Sequence, residues 1–179
     1  MNIKEPRLSL PVSADDHSEG RADAPVTMVE YGDYECPHCG HAYPIIKRVQ
    51  ARLGPALRFV FRNFPLSEAH PHALAAAELA EAAATQGKFW PMHDTLFEHQ
   101  TALDDHHLAQ YAKSLDLNLA KLKATLESDE PKQRVRSDFM SGVRSGVNGT
   151  PTFFINGSRF DGNWTDEDEF VEALQSAAR

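Results

Sequence analysis

The only two cysteines of this 179-residue chain lie close together, in the segment Cys36-Pro37-His38-Cys39. A disulfide between them would close a very small ring, which barely restricts the unfolded chain and would be a poor structural crosslink. No second pair is present to build a disulfide framework. We therefore expect the pair to serve thiol chemistry rather than stability.

Two other roles for these cysteines are open. Cysteines are often small buried hydrophobic residues. Cys36, His38, Cys39 and His41 are also potential metal ligands, although structural zinc sites usually take two ligand pairs from separate segments. Two chains could each supply a pair to bind zinc or an iron–sulfur cluster. We favour a redox role because of where the pair stands in the chain.

The pair follows a predicted strand and begins a predicted helix. The segment "PVTMVEY" (25–31) is apolar and β-branched, which indicates a buried strand. Pro37 suits the first helical position, which makes Cys36 the N-cap. The helix N-terminus offers unpaired N–H groups and a positive dipole end, so we expect a lowered pKa for Cys36. Apolar residues at helical spacing follow, at Ala42, Ile45, Ile46, Val49 and Leu53.

This placement predicts unequal roles for the two thiols. We expect Cys36 to be exposed at the cap and to attack, and Cys39 to be shielded and to resolve the mixed disulfide. Pro37 would rigidify the turn, and a protonated or donating His38 would lower the pKa of Cys36 further. Glu35 would act in the opposite direction, and we expect it to be solvated and screened.

The rest of the chain indicates an α/β fold. Gly54-Pro55 ends the helix, and residues 56–65 read as the next strand, which predicts a right-handed βαβ unit with parallel strands. Helical patterns then fill residues 70–145. Strand character returns at 150–162, where Asn156-Gly157 predicts a hairpin. A last helix is expected from Thr165, with Asp168 completing a capping box.

These elements predict three parts of the chain. Residues 1–24 form a polar arm, with a short strand near Leu8–Val12. Residues 25–66 and 147–179 form one α/β domain, and residues 67–146 form an all-helical insertion into it.

Apolar stripes predict how the inserted helices pack. One predicted helix has an apolar stripe of Leu119, Leu122 and Leu126. The next predicted helix has a stripe of Val135, Phe139 and Val143. His93 lies on another stripe and is expected in the core. His70-Pro71-His72 and His106-His107 are expected at helix starts and in loops rather than in a metal site.

The order of strand, Cys-Pro-His-Cys and helix, with Pro44 eight residues after Cys36, resembles the thioredoxin fold. The dipeptide Pro37-His38 and the helical block between βαβ and ββα make the chain similar to the DsbA-like thiol–disulfide oxidoreductases. The segment "DAPVTMVEYGDYECPHC" resembles the soluble, leaderless branch of that family. The resemblance covers residues 17–178.

The resemblance implies roles for further residues. Glu30 stands where DsbA-like proteins keep a buried acid that assists proton transfer to and from the cysteines. "VNGTPTFFING" matches the segment that carries the cis-proline, so Thr150 and Pro151 would face the disulfide and align a substrate strand. The implied activity is disulfide exchange with protein or small-thiol substrates and an unidentified redox partner, with no cofactor beyond the redox pair.

Two departures leave the direction of electron flow open. The best-known oxidases of the family are periplasmic and carry a signal, whereas this chain shows none. They commonly have Val before the cis-proline, whereas Thr150 is more familiar among isomerase relatives. A cytosolic reductase or isomerase is therefore the alternative, because cytosolic conditions keep thiols reduced.

Composition narrows the partners and the location. The net charge of −8 argues against nucleic acid or an anionic membrane as a partner. No apolar run approaches the roughly 18 residues of a membrane span, and the N-terminus lacks the apolar region of a secretory signal. We expect a cytoplasmic monomer, or a periplasmic protein if a leader has been removed. The 41% apolar content suffices for one domain core.

Overall fold

A computed structural model describes residues 6–179, and within them it has one five-stranded sheet with the order β1-β3-β2-β4-β5. The strands are β1 His17–Glu19, β2 Val26–Gly32, β3 Leu57–Asn63, β4 Thr152–Ile155 and β5 Ser158–Phe160. The helices are α1 Pro37–Leu53, α2 Ala73–Ala84, α3 Phe89–Glu98, α4 Asp105–Ser114, α5 Leu119–Glu127, α6 Glu130–Arg144 and α7 Glu167–Ala177.

The sheet has the strand directions of a thioredoxin fold. Strands β2 and β3 are parallel and joined by α1, as the βαβ prediction requires. Strand β4 returns antiparallel to β2, and β5 pairs antiparallel with β4. Asn156 and Gly157 both have positive φ in the turn between them, as a two-residue hairpin needs. The predicted α/β class with inserted helices is confirmed.

The two faces of the sheet bury different side chains. Val26 and Met28 of β2 belong to the larger core, which includes residues of α1, α2, α3 and α7. Val29 and Tyr31 alternate to the other face, where Phe139 of α6 and the N-terminal segment pack. Because one core joins the sheet to the inserted helices, the boundaries proposed for the domain and the insertion stay a prediction.

The strand predicted at Leu8–Val12 is wrong. In this segment the carbonyl oxygens of Leu10 and Pro11 accept hydrogen bonds from the buried Arg62 guanidinium, at 2.9 and 3.2 Å. Arg62 also donates to both carboxylate oxygens of Asp16. A side chain therefore satisfies backbone groups that a sheet would have used, and Pro11 has no N–H to offer. The first strand lies at His17–Glu19, antiparallel to β3.

The start of the last helix also differs from the prediction. Helix α7 begins at Glu167, and the Asp166 side chain caps it by accepting the N–H groups of Asp168 and Glu169. The Thr165 hydroxyl donates to Asn163 instead. An Asp one residue further on thus replaced the expected capping box, since both residue types serve as N-caps.

Two apolar stripes are less buried than predicted. Leu119, Leu126 and Val143 are exposed, whereas Leu122 and Val135 are buried. Helix α5 lies at the outside of the helical block and buries one position of its stripe. A periodic pattern shows which face of a helix is apolar, but neighbouring elements determine how much of that face is covered.

Candidate active site

Cys36 is the N-cap of α1, and the helix begins at Pro37, as predicted. The Cys36 thiol lies 3.5 Å from the carbonyl oxygen of Thr150. A hydrogen bond from the Cys39 thiol, helped by the Thr150 side chain and by the N–H groups of Cys39 and His38, lowers the pKa of Cys36 to about 5, although burial opposes the shift. The expected exposure is wrong, because only 4% of Cys36 is accessible.

Cys39 has the opposite character. It is fully buried one turn into α1, and its sulfur accepts the backbone N–H of Asp33 at 3.4 Å. Burial, the hydrogen bond to Cys36 and the charge of Glu30 raise its pKa well above the ordinary value. Both cysteines are free thiols. The pair therefore combines a ready thiolate with a thiol that keeps its proton.

Glu30 lies under this pair in the middle of the sheet. It is opposite Phe61 of β3 and Phe153 of β4, and it is 1% exposed. Among the residues that the structure describes, no group hydrogen-bonds its buried Oε1. Burial, together with the charge of Cys36, raises its pKa to about 8. At neutral pH this carboxyl is therefore mostly protonated.

The other predicted residues surround the helix start. Pro37 and His38 are exposed, and the backbone N–H of His38 helps to hold the Cys36 sulfur. Thr150 and Pro151 are half-buried, joined by a cis peptide bond, and precede β4. The catalytic roles predicted for these residues and for Glu30, and substrate binding at Thr150 and Pro151, stay predictions.

Asp33 is a site residue that the sequence reasoning missed. Its buried Oδ1 accepts the N–H groups of Glu35 and Cys36 at 2.8 and 3.2 Å. Its Oδ2 accepts the Leu66 N–H and faces His70 Nδ1, both at 2.8 Å. Aspartate commonly accepts the N–H two residues further on in turns, so its position before the cysteines was a usable signal.

Glu35 does not stand free in solvent as expected. One of its oxygens accepts the backbone N–H of His72 at 2.6 Å, and the other lies 2.8 Å from His72 Nδ1. Its side chain is 20% exposed. The acid next to Cys36 is therefore paired, which the sequence reasoning did not foresee.

Gln100 is a further missed contact, which links the inserted helices to the redox turn. Its side-chain N–H donates to the carbonyl oxygen of Cys36 at 2.6 Å. A Cβ on Gly40 would lie 2.1 Å from Gln100 Oε1, so glycine leaves the space for this side chain. An isolated glycine inside a helix often has such a packing reason.

Residues 6–179, which the structure describes, bear on the metal-binding and membrane alternatives. They contain no group of three or more His, Cys, Asp or Glu side chains placed to hold a metal ion. His93 is buried and bonded to the Tyr34 hydroxyl, in the core as expected. No helix in the same part of the chain has the length and apolar character needed to cross a membrane.

Curated relatives match nearly the whole chain but are much longer. The chain is 44% identical over 171 residues to the Na(+)/H(+) antiporter NhaA 3 of Salinispora tropica, covering 95% of this chain and 25% of that protein. It is 42% identical over 173 residues to the antiporter NhaA of Herminiimonas arsenicoxydans, covering 96% and 27%. The chain thus spans about a quarter of these relatives.

Solved structures share the fold over nearly their full length. Oxidised BdbD from Bacillus subtilis has a TM-score of 0.80 and 27% identity, covering 91% of this chain and 92% of that one. A thioredoxin-like oxidoreductase from Silicibacter pomeroyi has a TM-score of 0.81 and 24% identity, covering 92% and 93%. The family model described as thioredoxin matches residues 13–176. The chain therefore belongs to the thioredoxin family.

Proposed function

We propose that this chain is a thiol–disulfide oxidoreductase that uses Cys36 as the exchanging thiol and Cys39 as the resolving thiol. The thioredoxin-like fold supports thiol–disulfide exchange in general. One observation carries the finer assignment, namely the contrast between a Cys36 thiol with a pKa of about 5 and a buried Cys39 thiol with a raised pKa. Only a thiolate attacks a disulfide, so this contrast separates the two roles.

In the oxidising direction the reaction consists of two successive thiol–disulfide exchanges. A substrate thiolate attacks Cys36 of the Cys36–Cys39 disulfide, that bond breaks, and Cys39 leaves as a thiolate that takes a proton from Glu30. A second substrate thiolate then attacks the substrate sulfur of the mixed disulfide and releases the Cys36 thiolate. The substrate loses two electrons, and the protein gains them.

The Cys36 thiolate of the reduced protein favours the oxidising direction. At pH 7 a pKa of about 5 leaves Cys36 about 99% ionised, which stabilises the dithiol form up to about 100-fold relative to an ordinary thiol. That factor corresponds to roughly 60 mV, and partial solvent screening reduces it. Because thioredoxin has a pKa near 7 and DsbA near 3.5, we place this pair between them as a moderate oxidant.

The surrounding residues complete the proposal. Thr150 and Pro151 would pair with an extended substrate segment beside Cys36. Pro37 and His38 would shape the turn, and Glu30 would relay the proton. The reaction needs no cofactor besides the redox pair. The same proposal includes protein thiols as substrates, a separate redox partner and a monomeric state.

Catalysed oxidation of reduced ribonuclease and reduction of insulin test the assignment. Cys36→Ser should abolish both activities, and Cys39→Ser should accumulate a mixed disulfide through Cys36. Ser137→Ala, an exposed serine on α6, is the matched control and should act as wild type. Equal activity of Cys36→Ser and wild type would refute the proposal.

A further inference from the structure

Two histidine–carboxylate pairs flank the redox turn. Asp33 and Glu35 precede Cys36. They face His70 and His72, which lie in the loop between β3 and α2. In each pair the imidazole Nδ1 lies 2.8 Å from a carboxylate oxygen. Alternate residues of one segment thus meet alternate residues of the other.

The Asp33–His70 pair is built into the backbone around Cys36. The carboxylate of Asp33 is fully buried and holds two N–H groups of the turn, including that of Cys36. His70 faces its other oxygen, where the Leu66 N–H also binds. A change in Asp33 therefore reaches the reactive cysteine through one hydrogen bond.

The charges of His70 and Cys36 act on each other. Two carboxylates beside a thiol would raise its pKa unless cations offset them. Burial lowers the pKa of His70, but the hydrogen bond and charge of Asp33, with the charges of Cys36 and Glu35, raise it overall. The hydrogen bond that the His72 imidazole donates to Glu35 raises the pKa of His72, and the nearby acids Asp104 and Asp105 add to the shift. In both cases the neighbouring acids shift the imidazole toward its cationic form.

We propose that His70 and His72 are positioning residues for exchange at Cys36, because they hold Asp33 and Glu35 in place and offset the negative charge of these two acids. The inference rests on the proposed function, since it concerns the same thiolate. Neither histidine touches the reacting sulfur in the described contacts, so both act through the acids they bind.

Glutamine variants separate charge from hydrogen bonding. The amide of His70→Gln or His72→Gln can still donate to the carboxylate but carries no charge. His17→Gln is the matched control, because His17 forms a histidine–carboxylate pair with Glu81 at 2.8 Å, apart from the contacts of Asp33 and Glu35. The pKa of Cys36 is read from thiolate absorbance at 240 nm against the oxidised protein, and the redox equilibrium is measured with glutathione.

The double variant His70→Gln/His72→Gln should raise the pKa of Cys36 by about one unit. The ratio of thiolate to thiol at a given pH would then be about tenfold lower. Its reduction potential should fall by about 30 mV, the equivalent of a tenfold change for two electrons. The control should keep wild-type values. If the double variant fails to fold, the half-exposed His72→Gln alone should show a smaller shift in the same direction.

Unchanged pKa and potential in folded His72→Gln and in any folded variant of His70 would overturn the inference. Lower stability with unchanged pKa and potential would also overturn it, because the pairs would then be structural only. The absorbance measurement needs no substrate. An inactive wild type whose Cys36 pKa still responds to these substitutions would refute the proposed function and retain the positioning role.

Discussion

Glu30→Gln exchanges a buried carboxyl for a group of similar shape that has no titratable proton. In the folded protein the pKa of Glu30 is about 8, against an ordinary value of 4.5. The unfolded chain therefore loses this proton at a lower pH than the folded chain. Between those two values the folded state binds more protons, so the stability contributed by Glu30 falls as pH rises.

The size of this effect follows from the two pKa values. Each unit corresponds to 1.36 kcal/mol, and the contribution of Glu30 to the free energy of unfolding should decrease by about 3 kcal/mol from pH 4.5 to pH 7. Glutamine lacks this dependence. Burying its amide adds a cost of about 1–3 kcal/mol that does not change with pH. We compare the free energies of unfolding as the value for Glu30→Gln minus the value for wild type. This difference should rise by about 3 kcal/mol from pH 4.5 to pH 7.

Urea unfolding of the reduced proteins at intervals from pH 4.5 to 8 measures this difference. Glu127→Gln is the control, since Glu127 is exposed on α5 and should show little dependence on pH. In the oxidised protein the Cys36 thiolate is absent and no longer raises the pKa of Glu30. The rise of this difference with pH should therefore be smaller. A difference between Glu30→Gln and wild type that stays constant from pH 4.5 to 7 would refute the reasoning.

Two other contacts give further predictions. Gly40→Ala should gain about 1 kcal/mol of helix propensity and lose about as much by displacing Gln100 from the Cys36 carbonyl, so it should stabilise the protein only in a Gln100→Ala background. A double-mutant cycle by urea unfolding checks this, and equal effects in both backgrounds would contradict it. Arg62→Met should cost about 3–5 kcal/mol, because it leaves Asp16 buried and unpaired. Faster proteolysis between residues 8 and 16 should accompany that loss, and an unchanged urea midpoint would contradict the pairing.

Local signals predicted the elements that carry the reactive pair. Pro37 and the apolar spacing after it placed the start of α1, because proline suits that position and the stripe is continuous. Asn156-Gly157 predicted the hairpin between β4 and β5, since both residues adopt positive φ readily. The resemblance to DsbA-like proteins located Glu30 and Pro151, which no periodic pattern would have singled out.

Contacts between distant segments were beyond the reach of those signals. His70 and His72 are each 37 residues from the acid they bind, and their helix-start position alone suggested no partner. The Arg62 guanidinium likewise binds the carbonyl oxygen of Leu10, 52 residues earlier in the chain. Pairing of buried polar groups depends on tertiary geometry, which composition and spacing do not encode.

The most direct test of the account is alkylation of the reduced protein by iodoacetamide from pH 3 to 10, with each cysteine quantified by mass spectrometry. Cys36 should react with a midpoint near pH 5, while Cys39 should stay unmodified through pH 9 because burial raises its pKa. The account would be contradicted if both thiols reacted together near pH 8 to 9, or if Cys39 reacted first.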